Sequence, residues 1–583
     1  MISPAMLAPV AKRKRARKAC IPCHQRKRKC DAEYPCSTCT TYDYSCHYDE
    51  DSGTGGLHAP PSAKRGSPDG GSSIASRPAG SSNSPDSWAP LARGTGGTGA
   101  STTSPTVAAN TSAGIFDERK SRYAGASAAM AFPHILGLSL GSDSTPKMPS
   151  FAYNFGIRPE EASNTHGLLD KFITEEDVAF YSDVYFSVMG PIGDLMDPRI
   201  YAQRCRDYYH QFDGKAIAFG AIAAGVVALG SYLSPNKHPR ESDLVQYAKD
   251  ILEDPASMRV LSIDQIIAWA MRVFYLRATT RPNNAWVASC TAMHLCEAVG
   301  LHKEENIKKM ASIAGAAVLG HDADRLRRIF WIAWSGHNLL CFEYDRSSVN
   351  FGTVTCQPII PIAGSVADQF VKIAQVIPAP NSPFRLDVQP ASLKEELCER
   401  IKALEKLPFT HPFLVATKAD VAFGFYRRLY QLNDGIPDEI IRLLIDHGNA
   451  TVEAAEQLAS QGYLFWNAIG SVFQYACIML AIDTPAAHAQ VGNAFRGLEN
   501  LVKTADTELT RRALAMARHL LSLTMEKKRK ELAQLEAVEA SYQFHAQPES
   551  EATVPDLAWV EAWDPFLMDP YLSFLSPDNQ PQG

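Results

Sequence analysis

The chain has 583 residues, 45% of them hydrophobic, which excludes a fibrous or wholly disordered protein and allows at least one sizeable buried core. The formal net charge is -6, but residues 1–50 carry ten basic and five acidic residues, against 47 basic and 58 acidic ones in the rest. A basic head on an acidic body predicts that only the head binds a polyanion.

The chain begins with a basic arm, predicted as residues 1–19. The run KRKRARK is typical of a nuclear-import signal and could also follow a nucleic-acid backbone. Its basic residues are Lys12, Arg13, Lys14, Arg15, Arg17 and Lys18.

Six of the thirteen cysteines follow within residues 20–50, spaced C-x2-C-x6-C-x5-C-x2-C-x6-C. Each CxxC lets two sulfur atoms reach one tetrahedral metal, and thiolates favour Zn²⁺. Six sulfurs give two metals four ligands each only if two sulfurs are shared. A disulfide framework would need an oxidising compartment, which nothing in the sequence indicates. An iron–sulfur cluster takes four cysteines and leaves two unexplained.

This segment, Ala19 to Tyr48, resembles the fungal Zn2Cys6, or binuclear zinc cluster, transcription factors. The resemblance lies in the cysteine spacing, the basic loop RKRK and the tripeptide YPC. It implies two Zn²⁺ ions bridged by Cys20 and Cys36. The remaining ligands would be Cys23 and Cys30 at one ion, and Cys39 and Cys46 at the other.

The resemblance also implies double-stranded DNA as the partner, with a CGG-type triplet read in the major groove. Lys27 matches the base-reading lysine of the family and Arg26 its basic neighbour. A lysine suits the N7 and O6 acceptors of guanine, while phosphate contacts make binding salt-sensitive. The other predicted DNA contacts are Arg28, Lys29 and Lys18. The alternative is that RKRK is a solvated loop or part of an import signal.

Residues 51–150 are rich in Ser, Gly and Pro and are predicted to be a disordered linker. From 165 to 540 apolar residues recur at helical intervals, which predicts an all-α domain. Thr174 and Asp177 have a capping-box-like spacing before the first helical segment. The uncharged segment Ala216–Leu233 relies on Ala and Gly, so we expect a tightly packed buried helix there. The predicted fold is a small Zn2Cys6 module and a large all-α domain joined by this linker.

Three segments of the predicted helical domain are similar to the middle homology region of the same family, which is regarded as regulatory: YFSVMGPIGDLMD, AWVASCTAMHLCEAVGLH and RLRRIFWIAW. No HExxH, P-loop or GxSxG motif accompanies them, so an enzyme is not expected. Cys290 and His294 lie four residues apart, the spacing of one helical face. We interpret them as a core cysteine beside a satisfied histidine rather than a nucleophile and its base.

Residues 549–583 have seven acidic residues and no Lys or Arg, interleaved with aromatic residues. Such a tail is typical of an activation segment that recruits the transcription machinery. The alternative is that its aromatic residues dock on the helical domain of the same chain.

These features predict a nuclear, zinc-dependent, sequence-specific regulator of RNA polymerase II genes. We interpret it as a pathway-specific activator, on family analogy one of a fungal secondary-metabolite gene cluster. The alternatives are a repressor and a zinc-dependent protein or RNA interaction module. No membrane partner is expected. Because no heptad run follows the cysteines, a homodimer would form through the helical domain or the segment MEKKRKELAQLEAVEA, and a monomer is the alternative.

Overall fold

The computed structural model describes residues 19–25, 30, 36, 39–40, 46–47, 115–117, 122–125, 128, 136, 161, 163, 167–210, 217–258 and 260–543. The chain divides into two compact units, residues 1–99 and residues 100–583. The described part of the first unit is the cysteine-rich segment, with one short helix, α1 (Ile21–Gln25). The second unit is mainly helical.

The described helices of the second unit share one hydrophobic core. The first of them, in chain order, are α2 (Glu175–Val188), α3 (Gly190–Gly193), α4 (Pro198–His210), α5 (Ile217–Leu233), α6 (Glu241–Leu252), α7 (Ile263–Thr279), α8 (Pro282–Val299), α9 (Glu304–Ala311) and α10 (Ala323–Tyr344). They are followed by α11 (Ala367–Val376), α12 (Leu393–Glu405), α13 (Pro412–Leu432), α14 (Asp438–Ser460), α15 (Trp466–Ala481), α16 (Pro485–Thr504) and α17 (Glu508–Gln543). Two 3-10 turns, Leu169–Lys171 and Pro255–Met258, complete the set.

The start of α2 confirms the predicted cap. Thr174 is the N-cap, and its side chain accepts a hydrogen bond from the backbone N–H of Asp177 at 3.2 Å. The Thr174 hydroxyl in turn donates to the Asp177 carboxylate at 2.9 Å. The capping satisfies an amide that a helix start otherwise leaves without a partner.

Helix α5 is the apolar segment that the sequence predicts to be buried. It packs against α2 so closely that a Cβ on Gly230 would lie 1.9 Å from the backbone oxygen of Tyr181. Small residues are therefore needed for this helix contact. In the described part of the chain, no helix combines the length and the apolar character that crossing a membrane requires.

The segment AVGLH ends α8 in a left-handed glycine cap. Gly300 has φ 88°, and the backbone N–H groups of Gly300 and Leu301 both donate to the carbonyl of Cys296, at 3.0 and 2.9 Å. Glycine adopts this conformation without the steric cost that a Cβ brings. The turn buries Leu301 and His302 in the core.

A two-stranded antiparallel hairpin, β1 (Ile115–Asp117) and β2 (Arg122–Ala124), lies within the range predicted as linker. Tyr123 packs edge-on against His302, with the ring centroids 5.3 Å apart. The hairpin therefore covers the turn after α8, a contact that the sequence did not indicate.

The predicted combination of a cysteine-rich module with a large, mostly helical domain is confirmed. Most of the predicted linker and the whole of the predicted tail, residues 549–583, lie outside the described residues.

Candidate metal centre and nucleic-acid interface

Both CxxC pairs of the N-terminal unit bring their sulfur atoms inward. Cys20 and Cys23 lie one helical turn apart at α1 and are 0% and 1% exposed. The second pair, Cys36 and Cys39, is fully buried, and the backbone N–H of Cys39 donates to the sulfur of Cys36 at 3.3 Å. In both pairs two residues of separation place the thiols side by side.

The four sulfur atoms of these pairs lie within 4.8 Å of one another. The separation is 3.7 Å between Cys20 and Cys36, and 3.6 Å both between Cys20 and Cys39 and between Cys23 and Cys36. A tetrahedral zinc site with Zn–S bonds of about 2.3 Å has sulfur–sulfur edges of about 3.8 Å. The donor type and its spacing therefore fit Zn²⁺.

In each half, the sulfur of the third cysteine accepts a hydrogen bond from the backbone of the first cysteine. The backbone N–H of Cys20 donates to the sulfur of Cys30 at 3.5 Å, and that of Cys36 donates to the sulfur of Cys46 at 3.3 Å. The two contacts join residues with the same separation along the chain, so the halves repeat one local arrangement around the central sulfurs. The backbone N–H of Ile21 also donates to the carbonyl of His47 at 2.8 Å and ties the two ends of the segment together.

Burial and the hydrogen bonds between neighbouring thiols shift the pKa values of the four central cysteines. Burial raises the pKa of the Cys20 thiol above its usual range, and burial together with the adjacent Cys36 raises the pKa of Cys39 to about 12. Burial acts the same way on Cys36, but hydrogen bonds from the Cys39 backbone and the neighbouring thiols bring its pKa to about 6. Of these four thiols, Cys36 is the one most readily deprotonated, and thiolate is the form that binds metal.

The structure brings together the predicted metal-ligating residues but does not describe the predicted DNA contacts. Arg26 to Lys29, Lys18 and the import segment Lys12–Lys18 lie outside the described residues. Arg26 follows directly on the last residue of α1, whose first turn carries Cys23.

Cys290 and His294 do not form a nucleophilic pair. Burial raises the pKa of the Cys290 thiol, so it is not activated. The His294 side chain is 65% exposed and lies 3.7 Å from Glu297. No hydrogen bond joins the two side chains, both of which the structure describes.

One feature of the helical unit has no signal in the sequence. A cavity between α7, α8, α10, α11, α13 and α15 has Asp420 and Asn467 among its polar lining residues. They occur singly in apolar helical segments, where one polar residue indicates no particular site.

Comparisons with known proteins match both parts of the chain. Residues 18–55 match the fungal Zn(2)-Cys(6) binuclear cluster domain, and residues 183–346 match the fungal specific transcription factor domain. The second range contains all three quoted motifs, which lie at the end of α2, in α8 and in α10. No solved structure matches the chain.

Relatives align over nearly the whole length. Protein RDR1 of Saccharomyces cerevisiae is 37% identical over 569 residues, which are 97% of this chain and 99% of that protein. Transcription factor kojR of Aspergillus oryzae is 30% identical over 524 residues, or 89% of this chain and 85% of that protein. A probable transcriptional repressor of Schizosaccharomyces pombe is 22% identical over 469 residues, or 77% of this chain and 92% of that protein. The chain therefore belongs to the fungal Zn2Cys6 transcription factors, DNA-binding regulators whose cysteine cluster binds two zinc ions.

Proposed function

We propose that all six cysteines hold the two zinc ions, with Cys20 and Cys36 as the bridging ligands. A bridging sulfur must lie close to the terminal sulfurs of both halves. The contacts of Cys20 with Cys39 and of Cys36 with Cys23, each 3.6 Å, support this role. The terminal ligands are then Cys23 and Cys30 on one side, and Cys39 and Cys46 on the other.

We propose that this zinc-held module binds CGG-type triplets and that Lys27 contacts the guanine edges. The observation that supports this proposal is that α1 is anchored at Cys20 and Cys23 and ends directly before Arg26. Two rigid sulfur positions therefore fix where the basic loop begins. Arg26, Arg28, Lys29 and Lys18 neutralise phosphates on either side.

Lys27→Ala should weaken binding to a CGG duplex by about 1–3 kcal/mol, or roughly 5- to 150-fold, because one base-edge contact is lost. Fluorescence anisotropy with a CGG duplex and a scrambled duplex measures the loss. Zinc content should stay unchanged.

Lys18→Ala is the matched control, because a phosphate contact weakens both duplexes alike and lowers the salt dependence by about one counterion. Unchanged duplex binding by the Lys27 variant would instead favour a zinc module that contacts protein or RNA.

We propose that the protein acts in the nucleus as an activator, with Lys12–Lys18 as the import signal and residues 549–583 as the activation segment. The alternation of acidic and aromatic residues in that tail supports the proposal. The assignment to a secondary-metabolite gene cluster stays a prediction from family analogy.

Residues 549–583 fused to an unrelated DNA-binding domain should activate a reporter gene. A matched fusion in which Trp559, Trp563 and Phe566 are replaced by alanine should lose most of the activity, because the aromatic residues supply the contact area. Reporter repression by the native tail would favour the repressor, the description carried by the Schizosaccharomyces relative.

We propose that the chain forms a homodimer through the exposed end of α17. Residues 532–542 of this helix are exposed, and four apolar side chains fall on one face of roughly 120° at 3.6 residues per turn. They are Leu532, Leu535, Val538 and Tyr542.

The double substitution Leu535→Glu and Val538→Glu should convert a dimer to a monomer in sedimentation equilibrium of the full-length protein. The control places glutamates at Ala533 and Ala537, on the opposite face, and should leave the mass unchanged. A monomeric native protein, or a dimer that survives the first substitution, would contradict this interface.

A further inference from the structure

A cavity of about 80 Å³ lies inside the helical unit, bounded by α7, α8, α10, α11, α13 and α15. This volume is enough for several water molecules and is roughly half of the 150 Å³ that binds benzene in an apolar cavity, so only a ligand smaller than benzene fits it. Its walls are mainly apolar and aromatic. The aromatic lining comes from Phe274, Phe342, Phe370, Phe413 and Trp466.

Asp420 on α13 faces this cavity without a partner. Its buried carboxylate oxygen Oδ1 has no hydrogen bond, and no ion pair to Asp420 occurs among the described residues. Burial raises the pKa of the carboxyl well above its usual range, and the nearby Glu343 raises it further against the opposing effect of Arg277 and Arg427. Asp420 as a whole is half-buried, but an acceptor atom buried without a partner is costly and calls for an explanation.

Asn467 on α15 presents a second free acceptor to the same cavity. Its amide nitrogen donates to the carbonyl of Phe413 at 3.2 Å and to the hydroxyl of Thr417 at 3.0 Å. Because the carbonyl of Phe413 can only accept, the amide orientation is fixed and Oδ1 points away from this pair. That oxygen is buried and has no partner in the described part of the chain.

The two guanidinium groups that line the cavity have partners of their own, although the Nε–H of Arg277 is buried without a hydrogen bond to any residue that the structure describes. Arg277 forms an ion pair with Glu343 at 2.5 Å, and its guanidinium lies 5.0 Å from the centroid of the Trp466 ring. Arg427 donates to the side-chain oxygen of Gln474. It is seven residues from Asp420 along α13, roughly 10 Å in rise, which keeps the two side chains from pairing directly.

We propose that the cavity binds a small lipophilic amine in its protonated form. The ammonium group donates hydrogen bonds to Asp420 and Asn467, and the apolar body packs among Phe413 and Trp466. Such a ligand supplies the donors that both acceptors lack and the positive charge that an ionised Asp420 needs. An anionic ligand would add a third negative charge to those of Asp420 and Glu343.

Because of the position of the cavity, a bound ligand would contact helices from both parts of the helical unit. Helices α7 and α10 belong to the segment that matches the fungal specific transcription factor domain, and α13 and α15 follow that segment in the chain. A ligand held between them stabilises their packing, because it binds the folded form and not the unfolded one.

Three probes of nearly equal size, each smaller than benzene, test the proposal on the full-length, zinc-loaded protein: n-propylamine, 1-propanol and propanoate. Isothermal titration calorimetry should show the amine binding about tenfold or more tightly than the alcohol, because only the amine forms a charge-assisted hydrogen bond, and propanoate binding weakest. Equal affinity for all three, preference for the anion, or no binding of the amine would each overturn the proposal.

Asp420→Asn keeps the side-chain shape and should reduce the preference for the amine over the alcohol to about twofold or less. The control Asp446→Asn changes an exposed aspartate on α14 and should leave the preference intact. Ala270→Leu, which fills the cavity from α7, should weaken binding of the amine and the alcohol alike. An unchanged preference in Asp420→Asn, or unchanged binding in a folded Ala270→Leu protein, would contradict the assignment.

These titrations contain no DNA. Their outcome is therefore independent of the proposed contact between Lys27 and guanine.

Discussion

Removing zinc from the full-length protein should abolish DNA binding and unfold residues 20–46, while the helical unit stays folded. The buried cluster of the N-terminal unit consists of cysteines, with Ala19 and Cys30 partly buried beside them. So small a module has almost no apolar core, and zinc binding of about 10–16 kcal/mol at neutral pH supplies its folding free energy. The helical unit has its own hydrophobic core.

Chelation followed by duplex titration and metal analysis measures the effect, and adding Zn²⁺ back should restore binding. If Cys36 bridges both ions, Cys36→Ser should lose more zinc than Cys46→Ser, which removes a ligand from one ion. Cys398→Ser, a buried cysteine of the helical unit, is the control and should retain both zinc ions. Duplex binding that persists after zinc has been removed would contradict a module whose fold depends on zinc.

The metal site could be predicted because its chemistry is local. All six cysteines fall within 27 residues, and the CxxC spacing alone determines that two sulfurs meet on one side of the chain. Counting ligands indicates only that two sulfurs are shared, and the bridging role of Cys20 and Cys36 is what the resemblance to the family implies. The helical unit was predictable for a similar reason, since each helix shows its buried face as a local periodicity.

What the sequence could not indicate depends on contacts between distant residues. Tyr123 lies in a segment of linker-like composition, yet it packs on His302, and that contact fixes a hairpin there. Asp420 and Asn467 face one cavity only because α13 and α15 pack together. No spacing rule links such positions, so their proximity appears only in the fold.

An ion pair between two of the quoted motifs is another contact that the sequence could not indicate. The segments YFSVMGPIGDLMD and RLRRIFWIAW resemble a known family, but nothing in the sequence says that they touch. In the structure Arg328 of the second pairs with Asp194 of the first at 2.8 Å, across 134 residues. Asp194 follows α3 in a left-handed conformation, φ 39°, which turns its carboxylate toward α10.

Arg328→Met should destabilise the helical unit by about 3–5 kcal/mol, because Asp324 loses its ion-pair partner and Asp194 keeps only one of its two. The Arg328 side chain is 1% exposed and also pairs with Asp324 at 2.8 Å and donates to the carbonyl of Ile360. Arg325 holds the other oxygen of Asp194 at 2.7 Å, so the carboxylate keeps one partner after the substitution. Urea unfolding of the zinc-loaded protein, followed by circular dichroism of the helices, measures the change.

A double-mutant cycle separates the ion pair from general loss of packing. Asn at position 194 tolerates the left-handed conformation, so Asp194→Asn removes the charge without backbone strain. If the Arg328–Asp194 pair carries the effect, the double variant should be more stable than the sum of the two single losses predicts. Arg512→Met, which breaks an exposed pair with Glu508, should leave the midpoint unchanged. Additive losses would mean that Arg328 stabilises the helices through Asp324 and Ile360 alone, and that the two family segments are not coupled through this contact.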